Sequence, residues 1–169
     1  MGDRRNWCQT LAISALGLGA RCHGYALAAT WPKNASQVDE KTQQAINRGL
    51  AFLAQSQNED GSFGADDYAK NVGVCSLAGL SFLASGSTPS SGRWGENIEA
   101  TVAFILKQAS PSGFMTVKED QSRGPMYGHG FATLFLSEVY GMSSDRRVRQ
   151  TLFNAIKVIV ETQNEQGGW

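Results

Sequence analysis

The sequence has no excess of charge of either sign and no long hydrophobic run. Its 169 residues carry 15 Lys and Arg against 15 Asp and Glu, so the formal net charge at pH 7 is zero. A neutral chain without a basic stripe is not expected to bind nucleic acid, because that binding depends on neutralising phosphates. Hydrophobic residues make up 41% of the chain and charged residues 18%, which is typical of one globular domain rather than a disordered or fibrous protein.

The apolar run at residues 11–20 is too short to form a transmembrane helix. It follows the adjacent Arg4 and Arg5 and precedes the Ala-Leu-Ala of residues 26–28, a pattern that signal peptidase accepts. Residues 1–28 are therefore predicted to be an export signal and residues 29–39 a linker, with the protein in the periplasm or outside the cell.

Two routes of export are compatible with the sequence. The adjacent arginines resemble a twin-arginine signal, and an ordinary secretory signal is an equally good interpretation. An uncleaved signal that anchors the chain in a membrane is a weaker alternative, since the apolar run is short.

Cysteine is scarce, with three residues in the chain. Cleavage after Ala28 would remove Cys8 and Cys22, so the mature protein would keep Cys75 alone. A single cysteine forms no internal disulfide and no cysteine zinc cluster. Because Cys75 lies within an apolar run, it is predicted to be a small buried side chain.

The rest of the chain alternates two kinds of segment. Three segments carry an apolar stripe at helical spacing with a polar opposite face, and two others, residues 72–83 and 130–140, are apolar or small on nearly every side. The stripes are Ile46, Leu50 and Leu53; Ile98, Val102, Ile105 and Ala109; and Val148, Leu152, Ala155, Ile156 and Ile159. This alternation predicts an all-α fold over residues 40–169, with amphipathic helices outside and inner helices covered on both sides.

One short sequence motif occurs twice. QNEDGSF at residues 57–63 returns as QNEQGGW at residues 163–169. The amphipathic helices are predicted to end at residue 57, about residue 109 and residue 163, at intervals near 52 and 54 residues. Repetition at this period is typical of an array of helical hairpins.

The motif and the helix before it resemble the QW repeat of squalene-hopene cyclases and related terpenoid cyclases. The first copy runs Arg48-Gly49, Phe52-Leu53, Gln57 and Gly61-Ser62-Phe63, with Phe63 in place of tryptophan. The last copy keeps the tryptophan, and the middle copy has lost the glutamine. The resemblance extends to protein prenyltransferase β subunits. It implies an α/α toroid, of which this chain holds about two and a half hairpins, and it makes tethers of Gln57, Gly61, Phe63, Gln163, Gly167 and Trp169.

The resemblance supplies no complete catalytic motif. Cyclases of this family protonate an alkene with an Asp-x-Asp-Asp motif, and here Gly64-Ala65-Asp66-Asp67 lacks the first aspartate. Asp66 and Asp67 precede an inner helix, where the favoured interpretation is that they cap it. Prenyltransferases bind zinc through an aspartate two residues before a cysteine, and Gly73 occupies that place before Cys75. No metal and no cofactor is therefore expected.

One further candidate is Tyr127-Gly128-His129-Gly130, at the predicted mouth of the second inner helix. A histidine at a helix start has a lowered pKa, and Tyr127 could share a proton with it. The favoured interpretation is structural: the glycines allow close helix packing and His129 bonds a loop carbonyl. His129, Tyr127, Asp66 and Asp67 are thus the weak catalytic candidates.

Two functions are open. The first is a terpenoid-cyclase-like arc that lines an apolar cavity, with the catalytic acid outside this segment and with an isoprenoid-like ligand that brings the protein to a membrane surface. The second is a non-catalytic extracytoplasmic repeat module that binds an apolar ligand or a protein partner. A glycan-binding toroid is a further alternative, which no acidic pair supports.

A closed toroid needs about six hairpins, or roughly 300 residues at this repeat length. The chain is therefore expected to be a piece of a longer protein, and by itself to be partly open or self-associating.

Overall fold

The computed structural model describes residues 38–117 and 124–169, and these residues form five α-helices and a short 3-10 turn. The helices are α1 (Glu40–Gln55), α2 (Val72–Ala84), α3 (Gly95–Gln108), α4 (Pro125–Tyr140) and α5 (Arg146–Thr162), with the 3-10 turn at Asp66–Tyr68. The prediction of an all-α fold is confirmed. The predicted export signal and residues 29–37 of the linker lie outside the described residues. Within the described ranges, no helix has the length and apolar character needed to span a membrane.

Short polar side chains cap the starts of three helices. Asp39 accepts a hydrogen bond from the Thr42 N–H at 2.7 Å at the start of α1, and Asp145 accepts one from the Arg147 N–H at 2.9 Å at the start of α5. At the start of α2 the cap is Asn71, whose side chain accepts from the Val74 N–H at 2.9 Å. The predicted capping of α2 by Asp66 and Asp67 is therefore wrong. Both aspartates belong to the separate 3-10 turn.

Helix α4 begins five residues earlier than predicted, at Pro125 rather than at Gly130. The φ angle of proline suits the first turn of a helix, and the missing N–H is not needed there. The preceding Gly124 has φ +74°, a conformation in which glycine carries no steric penalty. As a result His129 lies one turn inside α4, not at its mouth.

The two apolar helices, α2 and α4, pack side by side in parallel. Gly73 faces Gly128 and Gly79 faces the ring of Phe135, so positions near the start of each helix meet and positions further along meet again. A Cβ atom on Gly79 would lie 2.5 Å from the Phe135 ring, which shows how close the two helices are. The amphipathic helices flank this pair: α1 and α3 pack on α2, α5 packs on α4, and α3 also contacts α5.

The core lies between the apolar pair and the amphipathic helices. Its largest fully buried apolar side chains are Phe82, Phe135, Ile98, Ile105, Met115 and Leu136. The predicted stripes are only partly correct, since Ile46 and Ile156 are exposed. The prediction that the inner helices are covered on both sides is also wrong, because Leu77 on α2 and Phe131 and Leu134 on α4 are exposed.

Candidate functional site

The exposed side of the α2–α4 pair is an apolar surface, here called the inner face and defined by Leu77, Leu80, Phe131 and Leu134. Each helix contributes two of these residues three positions apart, which places them on the same helix face. Leu77 and Phe131 line a groove of about 210 Å³ near the start of the two helices. Leu80 and Leu134 line a second groove of about 340 Å³ further along. The inner face therefore runs along both helices instead of forming one round pocket.

Few ionisable side chains reach the inner face. Among the described residues, Tyr68 and Tyr127 line the first groove and Glu138 lines the second. Neither groove brings two carboxylates together or places a carboxylate beside an imidazole. The described surface is thus suited to removing apolar ligand surface from water, and it lacks a strong proton donor.

His129 is fully buried and both of its ring nitrogens are hydrogen-bonded. Nδ1 lies 3.2 Å from the backbone nitrogen of Met115, and Nε2 lies 3.2 Å from the carbonyl oxygen of Ala155 in α5. The Met115 N–H is a donor, so Nδ1 must be the acceptor and Nε2 must carry the proton that is donated to Ala155. Burial lowers the pKa of His129, while its bond to the Ala155 carbonyl acts in the opposite direction. His129 is therefore a neutral link between the loop, α4 and α5.

The predicted proton sharing between Tyr127 and His129 does not occur in the structure. Tyr127 is largely exposed, whereas both nitrogens of the buried His129 are bonded to backbone groups. The favoured structural interpretation needs one correction, since His129 bonds a helix carbonyl and a loop N–H. Burial, rather than the helix start alone, lowers the pKa of His129.

Cys75 occupies the corresponding place in α2. It is fully buried, as predicted, and its Sγ lies 3.2 Å from the backbone nitrogen of Phe63, which donates to it. Cys75 and His129 both anchor the segment that follows an amphipathic helix. The equivalent roles of Cys75 and His129 were not recognised from the sequence, although the two residues are separated by about the repeat period.

Asp66 and Asp67 do not contribute to the inner face. Both are exposed in the 3-10 turn, and Asp66 has φ +49°. Neither residue lines the two grooves between α2 and α4. The structure therefore does not bring the four catalytic candidates into one site: the two aspartates are in an exposed turn, His129 is buried as a structural link, and of the four only Tyr127 borders a groove.

Gln57 ties the end of α1 to α3. Its Nε2 lies 3.0 Å from the Asn97 carbonyl oxygen, 3.1 Å from Thr101 Oγ1 and 3.1 Å from the Gly61 carbonyl oxygen. In return, Asn97 Nδ2 donates to Gln57 Oε1 at 2.6 Å. The resemblance implies a tether at this position, and the contacts are those of one. Asn97 and Thr101, which complete it, were not singled out from the sequence.

Gly61 and Phe63 bring the first turn against its neighbours. Gly61 has φ +84°, and a Cβ atom there would lie 2.1 Å from the carbonyl oxygen of Ala100 in α3. Phe63 is buried, and its ring centroid lies 6.3 Å from that of Phe82 in α2. Phe63 thus packs in the core between helices and is not a tether at the surface.

The side chains of the last turn form hydrogen bonds within the turn and to its own helix, α5. Gln163 Nε2 donates to the Gly167 carbonyl oxygen at 2.9 Å, and Trp169 Nε1 donates to the Ile159 carbonyl oxygen at 2.7 Å. Both side chains are exposed. In the part of the chain that the structure describes, Gln163, Gly167 and Trp169 therefore do not tie α5 to another amphipathic helix.

Three turns, one after each amphipathic helix, share a backbone geometry. Their glycines, Gly61, Gly113 and Gly167, have φ of +84°, +92° and +87°. In each turn the residue three before the glycine donates its N–H to the carbonyl one after the glycine, at 2.9, 2.9 and 2.8 Å. The middle turn keeps this geometry although its sequence has lost the glutamine.

The described side chains bring together no group of three His, Cys, Asp or Glu residues that could hold a metal ion. No family model matches the sequence, and no curated protein or solved structure matches it either.

Proposed function

We propose that this chain is an exported arc of an α/α toroid of the terpenoid cyclase and prenyltransferase type, and that its inner face forms part of the wall of a cavity for an apolar, isoprenoid-like ligand. The observation that carries the proposal is the inner face itself. Two parallel helices, α2 and α4, expose leucine and phenylalanine on the side away from the amphipathic helices. The choice of family rests on the resemblance of residues 57–63 and 163–169 to the QW repeat of the cyclases.

The shape of the inner face favours an elongated ligand. Its four side chains follow the direction of both helices. One groove, about 210 Å³, is smaller than a typical ligand pocket of about 300–1,000 Å³, and the other, about 340 Å³, is near the lower end of that range. A long hydrocarbon chain can lie along both grooves and cover the apolar residues between them. Each methylene group that leaves water contributes about 0.8 kcal/mol, so a chain of isoprene units gains affinity without polar contacts.

The part of the chain described here holds and shields a ligand in this proposal, and the catalytic acid of a cyclase would lie outside it. The second candidate function is a non-catalytic extracytoplasmic module that binds an apolar ligand or a protein partner. The specific observation that favours this alternative is that the grooves hold few proton donors: two tyrosines line the first groove and Glu138 lines the second. Neither candidate is expected to cyclise squalene with this chain alone, so the coding sequence beyond residue 169 separates them: only a cyclase needs an Asp-x-Asp-Asp motif there.

Binding of radiolabelled farnesol to the purified chain tests the ligand proposal. We expect Leu77→Asp and Phe131→Asp each to weaken binding by about tenfold or more, because each places a charge where the ligand would exclude water. The matched control is Phe153→Asp, an exposed aromatic residue on α5 that lies outside the inner face. Equal binding by all three variants and the unaltered chain would exclude the inner face as the site.

Export rests on the sequence of residues 1–28 and has its own test. We expect the mature protein to begin at Ala29 and to be found outside the cytoplasm, where a lipid ligand would bring it to a membrane surface. A paired Arg4→Lys and Arg5→Lys change stops export by the twin-arginine route and leaves the secretory route working. Cytoplasmic protein that retains residue 1 in the unaltered chain would refute export.

A further inference from the structure

The first two turns are each held by the apolar helix that follows, through the same backbone group but with different chemistry. Phe63 and Met115 both stand two positions after the glycine of their turn. The Phe63 N–H donates to Cys75 Sγ in α2, and the Met115 N–H donates to His129 Nδ1 in α4, each at 3.2 Å. A thiol has an ordinary pKa of about 8.5 and an imidazole one of about 6.5. Only the acceptor of the second turn can therefore gain a proton as the pH falls below neutral.

A proton on His129 removes the acceptor that holds the second turn. In the neutral ring, Nδ1 accepts from the Met115 N–H and Nε2 donates to the carbonyl oxygen of Ala155 in α5. An imidazolium carries a hydrogen on both nitrogens and accepts no hydrogen bond. The bond to Ala155 survives this change, whereas the new Nδ1–H faces the Met115 N–H across 3.2 Å. Protonation therefore breaks the bond to the second turn and leaves the bond to α5.

The described surroundings of His129 contain no carboxylate that would stabilise its charged form. The imidazole is fully buried, and its centroid lies 5.0 Å from that of the Phe114 ring. Helix α2 and residues 109–117 contain no Asp, Glu, Lys or Arg. The nearest ionisable side chains along the packed helices are Cys75 of α2, which is buried, and the exposed Tyr127 and Glu138 of α4 and Arg149, Lys157 and Glu161 of α5. Burial without a charged partner is thus the reason that the pKa of His129 is lowered.

The segment that His129 holds is also a wall of the first groove. Met115 and Thr116 line this groove together with Leu77 and Phe131 of the inner face. Met115 is fully buried, and its backbone N–H is bonded to His129, so the position of the wall depends on that bond. Neither Met115 nor Thr116 lines the second groove. Loss of the bond therefore acts on one end of the inner face.

We propose that His129 makes ligand binding in the first groove depend on pH. When the imidazole takes up a proton, the Met115 N–H loses its acceptor, the wall formed by Met115 and Thr116 leaves its place, and the ligand is released. The proposal rests on the proposed function, because it takes the first groove as part of the ligand site. His129 touches no ligand and acts as a positioning residue for the wall.

The direction and the size of the effect follow from the binding of one proton. Burial places the pKa of His129 below the ordinary value of 6.5, so the groove holds its ligand at neutral pH and releases it in acid. One linked proton raises the dissociation constant by at most about tenfold for each pH unit below that pKa.

Farnesol binding to the purified chain between about pH 8 and about pH 4.5 tests the proposal, with circular dichroism at each pH to show that the chain stays folded. We expect a constant affinity down to about pH 6.5 and then a weakening that approaches tenfold per pH unit. The amide of His129→Gln offers an acceptor and a donor without titrating, so its affinity should vary by less than about twofold. The matched control is Glu138→Gln, in the second groove, which should keep the dependence on pH. An equal weakening in His129→Gln, or its loss in Glu138→Gln, would overturn the proposal.

Amide hydrogen exchange of the unaltered chain, without any ligand, gives a second measurement. The Phe63 amide is the internal control, because its thiol acceptor takes up no proton in this pH range. As the pH falls through the pKa of His129, the protection of the Met115 amide should drop by about tenfold or more while that of Phe63 is retained. Met115 protection that stays, or that falls together with that of Phe63, would overturn the role of His129. Absence of farnesol binding at every pH would instead contradict the proposed function, so the two failures are distinguishable.

Discussion

The first and last turns of the chain have similar sequences, QNEDGSF and QNEQGGW, but different surroundings. Both contain a glutamine whose Nε2 bonds the carbonyl of the turn glycine, and both contain the same backbone hydrogen bonds. In the first turn the residues Gly61, Ser62 and Phe63 are buried, whereas the corresponding residues of the last turn are exposed or half-buried. The local sequence therefore forms the turn, and a neighbouring amphipathic helix is needed to make it a tether.

The largest difference between the two turns is expected when their glycines are replaced by alanine. Gly61→Ala should lower the free energy of unfolding by about 2–6 kcal/mol, because left-handed strain and overpacking against the Ala100 carbonyl each cost about 1–3 kcal/mol. Gly167→Ala has the same φ problem but only the Gln163 Nε2 atom, at 3.8 Å, beside the new methyl group, so it should cost about 1 kcal/mol. Urea unfolding measures both, and equal losses would show that packing on α3 does not distinguish the turns.

The link between the second turn and α5 should be sensitive to pH through His129. Because burial lowers its pKa below the ordinary value of 6.5, the unfolded chain takes up this proton first as the pH falls. The stability that neutral His129 contributes is complete above about pH 6.5 and is lost as the pH falls towards the pKa of the folded state. His129→Gln should lower the free energy of unfolding by about 1–3 kcal/mol at pH 7 and remove this dependence of stability on pH. An unchanged dependence of stability on pH in His129→Gln would assign that dependence to another group.

Replacement of the turn glutamines by alanine should distinguish the first turn from the last by a smaller amount. Gln57→Ala removes the bonds to Asn97, Thr101 and Gly61, which are half-buried, so we expect a loss of about 1–2 kcal/mol. Gln163→Ala removes one exposed bond, and water can replace it, so the loss should be about 0.5 kcal/mol. Thermal unfolding of the two variants side by side gives the comparison. A Gln163→Ala variant that is the less stable of the two would contradict the tether.

The smallest effect is expected from the acid that only the first turn carries. Asp60 accepts hydrogen bonds from Lys70 and Ser62, which lower its pKa to about 2. Its contribution to stability is present above its ordinary pKa of 3.8 and is lost as the pH falls to about 2. Asp60→Asn should slightly reduce the dependence of the free energy of unfolding on pH between 3.8 and about 2. The last turn has Gln166 at the corresponding place, so Gln166→Asn should leave the acid limb unchanged and serves as the control.

The ends of the amphipathic helices could be predicted from the sequence because they depend on local chemistry. Residues 57, 109 and 163 were predicted, and the helices end at Gln55, Gln108 and Thr162. A left-handed glycine follows each end in the turn, and that preference belongs to glycine itself. The start of α4 could not be predicted in this way. Its Tyr127-Gly128 stretch is typical of a loop, but Gly128 is held in the helix by close packing against Gly73.

The candidate site was less predictable because it depends on which sides of the helices are covered. The sequences of α2 and α4 show that both are apolar, but composition alone cannot distinguish a covered side from one that faces a cavity. The position of Leu77 and Phe131 on the inner face is settled only by the packing of α3 and α5 on the other sides. In the same way, the sequence placed His129 among glycines but could not show the Met115 and Ala155 backbone groups that occupy its nitrogens.

The reach of Gln57 has a consequence for how the chain folds during synthesis. Its partners Asn97 and Thr101 lie 40 and 44 residues further along, so the tether can form as soon as α3 has left the ribosome. At a translation rate of about 5–20 residues per second, that is a wait of about 2–9 seconds. Helix α2, of 13 residues, forms within the segment between α1 and α3 during that interval. During synthesis the first hairpin can thus gain its tether only when the next amphipathic helix has emerged.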